Sequence, residues 1–219
     1  MLGTEEIDKL IEKYQDNDDL QGLIREYRVL RFMRPDSDTP RGYSVSVHNS
    51  STARIDKAIE QYNKAKSCKN TKNDIAKHAK NFLRLLGFKD PKSVKIKSED
   101  VDYDKLVQEY GLNDKRDIVW MKFSKEQYLC TVACSNDINV DAVPENGDIN
   151  EKNEKGRGFK YNTSAVIMHV LGLKWDEEVI IIPLTCIPDG LSRGDIETGI
   201  GNYLIAQGIP ILDYYSHNY

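Results

Sequence analysis

The chain has 219 residues, of which 39% are hydrophobic and 30% are charged, with 31 basic against 35 acidic side chains and a net charge of −4. This balance gives no general attraction to nucleic acid or to an anionic membrane, although it is compatible with a local basic patch. Four cysteines are too few for a disulfide scaffold, and no apolar stretch reaches the roughly 18 residues that cross a membrane. We therefore expect a cytoplasmic protein without a membrane partner. We also expect a single domain over residues 1–219, in which a helical hairpin extension (1–35) precedes the core (36–219).

The N-terminal half carries apolar residues at helical spacing, which predicts four helices. The first covers residues 4–15, and the second begins at Asp18 or Asp19 and ends before Pro35, since proline disfavours helical geometry in the residue ahead of it. These two helices are expected to form an antiparallel hairpin. Residues 43–47 alternate apolar and polar side chains, which predicts a strand. Helices beginning near residue 51 and residue 72 follow.

The next stretch predicts shorter elements. A strand is expected over 94–97, a helix over 103–110, and a hairpin of two strands over 118–123 and 128–134. Residues 165–171 form an apolar run that fits either a buried strand or a short helix. Thr163 or Ser164 as the cap and Gly172 as the stop favour the helix.

The C-terminal stretch contains the clearest architectural signal. A β-branched run at 179–182 ends at Pro183, Ser192 opens a helical pattern, and a second apolar run occupies 209–212. Strand, crossover helix and strand in this order predict a βαβ unit with parallel strands. The predicted fold class is therefore α/β (or α+β), with a mixed sheet, an N-terminal helical hairpin and a C-terminal βαβ unit.

Standard catalytic motifs are absent from the sequence. It contains no phosphate loop, dinucleotide fingerprint, nucleophile elbow or zinc-binding His-Glu-x-x-His pattern, so we expect no cofactor and no metal, and the sequence leaves open whether the protein is an enzyme. Cys130 and Cys134 would stand about 13 Å apart in a strand, which is too far for joint coordination of one zinc ion.

Two basic stretches suggest a ligand. Arg157 and Lys160 belong to a loop with two glycines, and Arg193 follows Ser192 at the start of the C-terminal helix. Backbone amides at a helix start favour anions, and ligands of open α/β sheets gather beyond the carboxyl ends of parallel strands. Our first hypothesis is a protein that binds an anionic, nucleotide-like or nucleic-acid ligand at the βαβ loop through these four residues.

Two alternatives stay open. The element order over about the last hundred residues resembles that of restriction-endonuclease-like nucleases, and this resemblance implies a metal-dependent enzyme. The second hairpin strand lacks the carboxylate and lysine of that family, so a catalytic centre would rely on Asp117 or His48 at a non-standard site. The other alternative is a protein-interaction or inhibitor module that uses its acidic helices or the polar loop at 136–155.

Overall fold

The computed structural model of the chain describes residues 4–33, 51–136, 138–139, 143, 146–152, 154–156 and 160–213. Within them the chain forms helices on both faces of a sheet. The elements are α1 (Thr4–Lys13), α2 (Asp18–Met33), α3 (Ser51–Ala65), α4 (Lys72–Leu85), β1 (Val94–Lys97), a 3₁₀ turn (Ser98–Asp100), α5 (Tyr103–Tyr110), β2 (Ile118–Ser124), β3 (Leu129–Ala133), α6 (Thr163–Val170), β4 (Trp175–Pro183) and α7 (Arg193–Ala206).

The four strands form one antiparallel sheet in the order β1-β4-β2-β3. β4 and β2 are its inner strands, and Trp120 lies opposite Ile181 of β4 and Ala133 of β3. β2 is buried along its whole length, because its side chains meet a hydrophobic layer on either face of the sheet.

Successive side chains of β2 point to opposite faces of the sheet, as the period of two along a strand requires. Met121 and Phe123 face a core shared with α2, α4 and α7, which contribute residues such as Phe82 and Ile200. Ile118 and Trp120 face a smaller cluster that includes α5. The N-terminal end of α7 therefore lies over the first of these faces.

The predicted combination of helices with a sheet is confirmed. α1 and α2 form contacts with one another, and the Gln21 side-chain amide donates to the carbonyl of Ile11 at 2.6 Å. Val29 and Phe32 of α2 pack in the core beside α7. The single-domain prediction for residues 1–219, with its division at residue 35, stays a prediction.

The predicted βαβ unit and its mixed sheet are wrong. Residues 209–212 are buried but form no strand, and every strand pair in the described part of the chain is antiparallel. After α7 this segment fills the core with Ile209 and Ile211. Its amides at Leu212 and Asp213 donate to the carbonyls of Leu129 and Cys130 in β3, and they form no regular ladder. The proline at position 210 has no N–H to donate to a ladder.

Several local predictions are confirmed. Residues 163–170 are the helix α6 rather than a strand, and α5 ends at Gly111, whose φ of 62° is the left-handed geometry that favours glycine. None of the helices in the described residues is long and apolar enough to span a membrane. The predicted strand at 43–47 lies outside the described residues.

Candidate functional site

The first turn of α7 is held by a capping box. The Ser192 hydroxyl accepts from the amide of Asp195 at 3.2 Å, and the Asp195 carboxylate accepts from the amide and the hydroxyl of Ser192 at 2.8 Å. This reciprocal arrangement satisfies two backbone donors that the helix itself leaves free. Ser192 therefore has a structural role in starting α7, and it places the next residue, Arg193, in the first helical turn.

Arg193 points its guanidinium at two carboxylates that precede β2. Its Nη1 atom lies 3.3 Å from Asp117 Oδ1 and 3.5 Å from Asp114 Oδ2. Within the described residues its Nε and Nη2 atoms make no hydrogen bond or ion pair, and 31% of the side chain is exposed. The protein thus holds the guanidinium at Nη1, while Nε and Nη2 remain available to a ligand.

A tight turn positions these two carboxylates. Asp117 Oδ2 accepts from the amide of Asp114 at 3.0 Å, and the amide of Asp117 donates to the carbonyl of Asp114 at 3.0 Å. The carbonyl of Asp117 accepts from Leu184, directly after β4. The amide of Arg116, followed by the guanidinium of Arg193, lowers the pKa of Asp114. Asp117 is buried and anchored where β2 begins and β4 ends, whereas Asp114 is exposed.

A second polar pair lies one turn further along α7. Burial raises the pKa of Glu197, and Asp213 adds to this effect, while the thiol and the amide of Cys134 act in the opposite sense. Burial, together with the Glu197 carboxylate, raises the pKa of Cys134 to about 12. The Cys134 thiol therefore stays protonated at neutral pH and is a poor nucleophile.

The structure brings together two of the residues selected from the sequence, Arg193 and Asp117, which belong to competing hypotheses. Lys160 instead pairs with Glu151, with 2.7 Å between Nζ and Oε1, and no described contact links it to Arg193. His48 and Arg157 lie outside the described residues. Their predicted roles, like those of Lys160 and Ser192 toward a ligand, stay predictions.

Sequence reasoning missed Asp114 and Glu197, and it considered Cys134 only as a zinc ligand. Asp114 precedes Asp117 by three residues, a spacing that suits a tight turn, and Glu197 follows Arg193 by four, which places both on one face of a helix. The position of Cys134 beside Glu197 depends on tertiary packing and has no local signal. Among the described residues, no group of three or more histidine, cysteine, aspartate or glutamate side chains is arranged to hold a metal ion.

Comparison with models of known protein families, with curated proteins and with solved structures gave no match.

Proposed function

We propose that the protein binds an anionic ligand, such as the phosphate group of a nucleotide or of a nucleic acid, at Arg193. The observation that carries this proposal is the guanidinium held on one edge by Asp114 and Asp117 with Nε and Nη2 left over. Arginine presents its donors in a planar fork that matches a phosphate with two parallel hydrogen bonds. A guanidinium already fixed by the protein loses little side-chain freedom when the ligand binds.

The charge around Arg193 determines how such a ligand would bind. Two carboxylates, those of Asp114 and Asp117, contact the one guanidinium, so an added anion meets local repulsion. Asp114 has the longer contact, 3.5 Å, and its side chain is 54% exposed. The ligand would therefore replace Asp114, while the buried Asp117 keeps Arg193 in position. This exchange makes weak, salt-sensitive binding the expected behaviour.

Thermal unfolding with and without inorganic phosphate or ATP tests the proposal, because a ligand that binds the folded state raises the melting temperature. The Arg193→Ala variant should lose this stabilisation, and Arg193→Lys should keep only part of it. Asp114→Asn should bind about three to ten times more tightly, since a competing charge is removed. Absence of ligand-induced stabilisation in the wild type, or its persistence in Arg193→Ala, would contradict the proposal.

Lys72→Met is the matched control. Lys72 is also a cation in the first turn of a helix with two carboxylate partners, but its side chain is only 6% exposed. Its removal should lower the melting temperature and leave the shift caused by phosphate unchanged. A general effect of removing a positive charge would instead reduce the shift in both variants.

The nuclease alternative depends on Asp117 and His48. Both carboxylate oxygens of Asp117 already accept hydrogen bonds, one from Arg193 and one from the amide of Asp114. This arrangement favours anion binding over metal-assisted hydrolysis. We expect the protein to be cytoplasmic. Magnesium-dependent cleavage of a labelled oligonucleotide that is lost in Asp117→Asn would favour the nuclease instead.

A further inference from the structure

A second surface lies at the other end of the sheet. β2 runs from Ile118, next to the Asp117 turn, to Ser124, which is about 20 Å away at the rise of a strand. Ser124 pairs with Trp175 of β4 on one side, and on the other side its amide donates to the carbonyl of Tyr128 at 2.9 Å. Trp175 and Tyr128 therefore flank the same residue, far from Arg193.

Three aromatic side chains are grouped at this end. Tyr62 of α3, Tyr128 and Trp175 all pack on the buried cluster around Cys130, and each keeps part of its surface exposed. The rings of Tyr62 and Tyr128 meet edge to face with their centroids 5.7 Å apart. Burial of one side holds these rings in place while leaving aromatic surface in contact with solvent.

Three exposed lysines lie at this end of the sheet. The Lys66 ammonium lies 4.1 Å from the centroid of the Tyr62 ring, and the amide of Lys125 donates to the carbonyl of Lys174, directly before Trp175. Unlike Lys160, none of these three lysines forms an ion pair with a carboxylate in the described part of the chain. Three acids adjoin these residues in sequence. Asp176 and Glu177 form ion pairs with Lys72 and Lys97. Glu126 is exposed and forms no ion pair in the described part of the chain, so three unpaired lysines outnumber one unpaired carboxylate here.

We propose that this surface, formed by Tyr62, Tyr128, Trp175, Lys66, Lys125 and Lys174, binds single-stranded nucleic acid. The exposed parts of these rings offer aromatic surface on which unpaired bases stack, and lysines without carboxylate partners attract the phosphates between those bases. A duplex keeps its bases stacked on each other, so it can use the lysines but not the rings. The positive charge favours nucleic acid over an uncharged apolar partner. The aromatic rings favour nucleic acid over an acidic partner that has no bases.

Fluorescence anisotropy of a labelled oligo-dT, measured at several salt concentrations, tests this surface. In the double variant Lys125→Glu/Lys174→Glu the affinity should fall at least tenfold, and the salt slope should decrease by about 0.7 for each phosphate that the variant no longer neutralises. Trp175→Leu keeps an apolar side chain, and its affinity should fall by about fivefold or more because base stacking is removed. Trp120 is buried, so quenching of tryptophan fluorescence by the oligonucleotide should report Trp175 and disappear in Trp175→Leu.

Lys89→Glu/Lys95→Glu is the matched control, because both lysines are exposed, lie elsewhere and give the same change in net charge. An equal fall in affinity in this control would overturn the proposal, as would unchanged affinity in Lys125→Glu/Lys174→Glu. Equally tight binding of duplex DNA or of poly-glutamate would also overturn it, because neither can stack bases on the rings. Lys125→Glu/Lys174→Glu should keep the thermal shift caused by inorganic phosphate, which separates this surface from the anion site proposed at α7.

Discussion

Helices α4 and α7 begin with the same local pattern, Thr-Lys-Asn-Asp at 71–74 and Ser-Arg-Gly-Asp at 192–195. In both, the first residue and the aspartate form a complete capping box. In both, the basic residue of the first turn contacts two carboxylates from elsewhere in the fold. Lys72 lies 3.0 Å from Asp176 and 3.4 Å from Glu178, much as Arg193 lies between its two partners.

Lys72 and Arg193 differ in exposure and in the hydrogen-bond donors that the protein leaves without a partner. Lys72 is buried, and its ammonium also lies 5.4 Å from the centroid of the Phe123 ring, so its surroundings are fully occupied by the protein. Arg193 is about one-third exposed and uses one nitrogen of three. A cation at a helix start is thus not a ligand signal in itself. Exposure and unused donors, which depend on the tertiary structure, make the difference.

The largest effect is expected at Lys72. The Lys72→Met variant leaves the half-buried Asp176 carboxylate without its ammonium partner, which should lower the free energy of unfolding by about 2–4 kcal/mol. Arg193→Ala should cost at most about 1 kcal/mol, since its ion pairs are more exposed. Urea denaturation measures both values. Equal losses of stability would show that the two helix starts are equivalent and would remove the distinction on which the anion site rests.

Smaller losses of stability, similar at the two helices, are expected when the capping boxes are disrupted. Thr71→Ala and Ser192→Ala each remove a side chain that accepts from the amide three residues on, and each should destabilise the protein by about 1 kcal/mol. Glycine at the same positions should be better tolerated. A much larger destabilisation for Ser192→Ala, accompanied by loss of phosphate binding, would mean that Ser192 contacts the ligand as well as the helix.

The pH dependence of stability should have opposite signs at two carboxylates. Burial raises the pKa of Asp176, but the Glu178 amide and Lys72 outweigh it and leave the pKa below its usual 3.8. The stabilisation by this pair is therefore present above pH 3.8 and lost as the pH falls through the lowered pKa, so the deficit of Lys72→Met should shrink in acid.

Glu197 behaves in the opposite way. Because its pKa is raised, the folded state binds its proton more tightly than the unfolded state, and stability falls as the pH rises from the ordinary value of 4.5 through the raised pKa. Glu197→Gln should accordingly be more stable than the wild type at neutral pH, with an advantage that disappears below pH 4.5. Thermal melts between pH 4 and pH 8 measure this, and a constant difference over that range would contradict it.

Local sequence is sufficient for most helices and for the start of α7. The spacing Ser192-x-x-Asp195 identifies the capping box, and glycine at position 111 identifies the end of α5, because both depend on backbone requirements within a few residues. The prediction of a strand at 209–212 is wrong because a buried segment without regular structure has the same apolar composition as a buried strand. Whether a buried segment joins a sheet depends on which strand edges are near it, and the sequence does not encode that locally.

The same limit applies to the candidate site. Arg193 and Asp117 are both candidates from the sequence, but they belong to separate hypotheses, because 76 residues separate them. Antiparallel pairing of β2 with β4 brings Ile118 opposite Pro183, and α7 follows shortly after. The contact is thus a result of the sheet order, which local patterns do not predict.

The segment that follows α7 has a consequence for the solution behaviour of the protein. β3 is an edge strand among the strands that the structure describes, and the amides of Leu212 and Asp213 occupy its carbonyls at Leu129 and Cys130. Asp213 is in turn fixed by the Ser164 hydroxyl, which donates to its Oδ2 at 2.6 Å. A chain shortened to end before residue 209 would uncover this edge as a template for strands of other molecules. Such a truncation should aggregate even if its remaining core still folds.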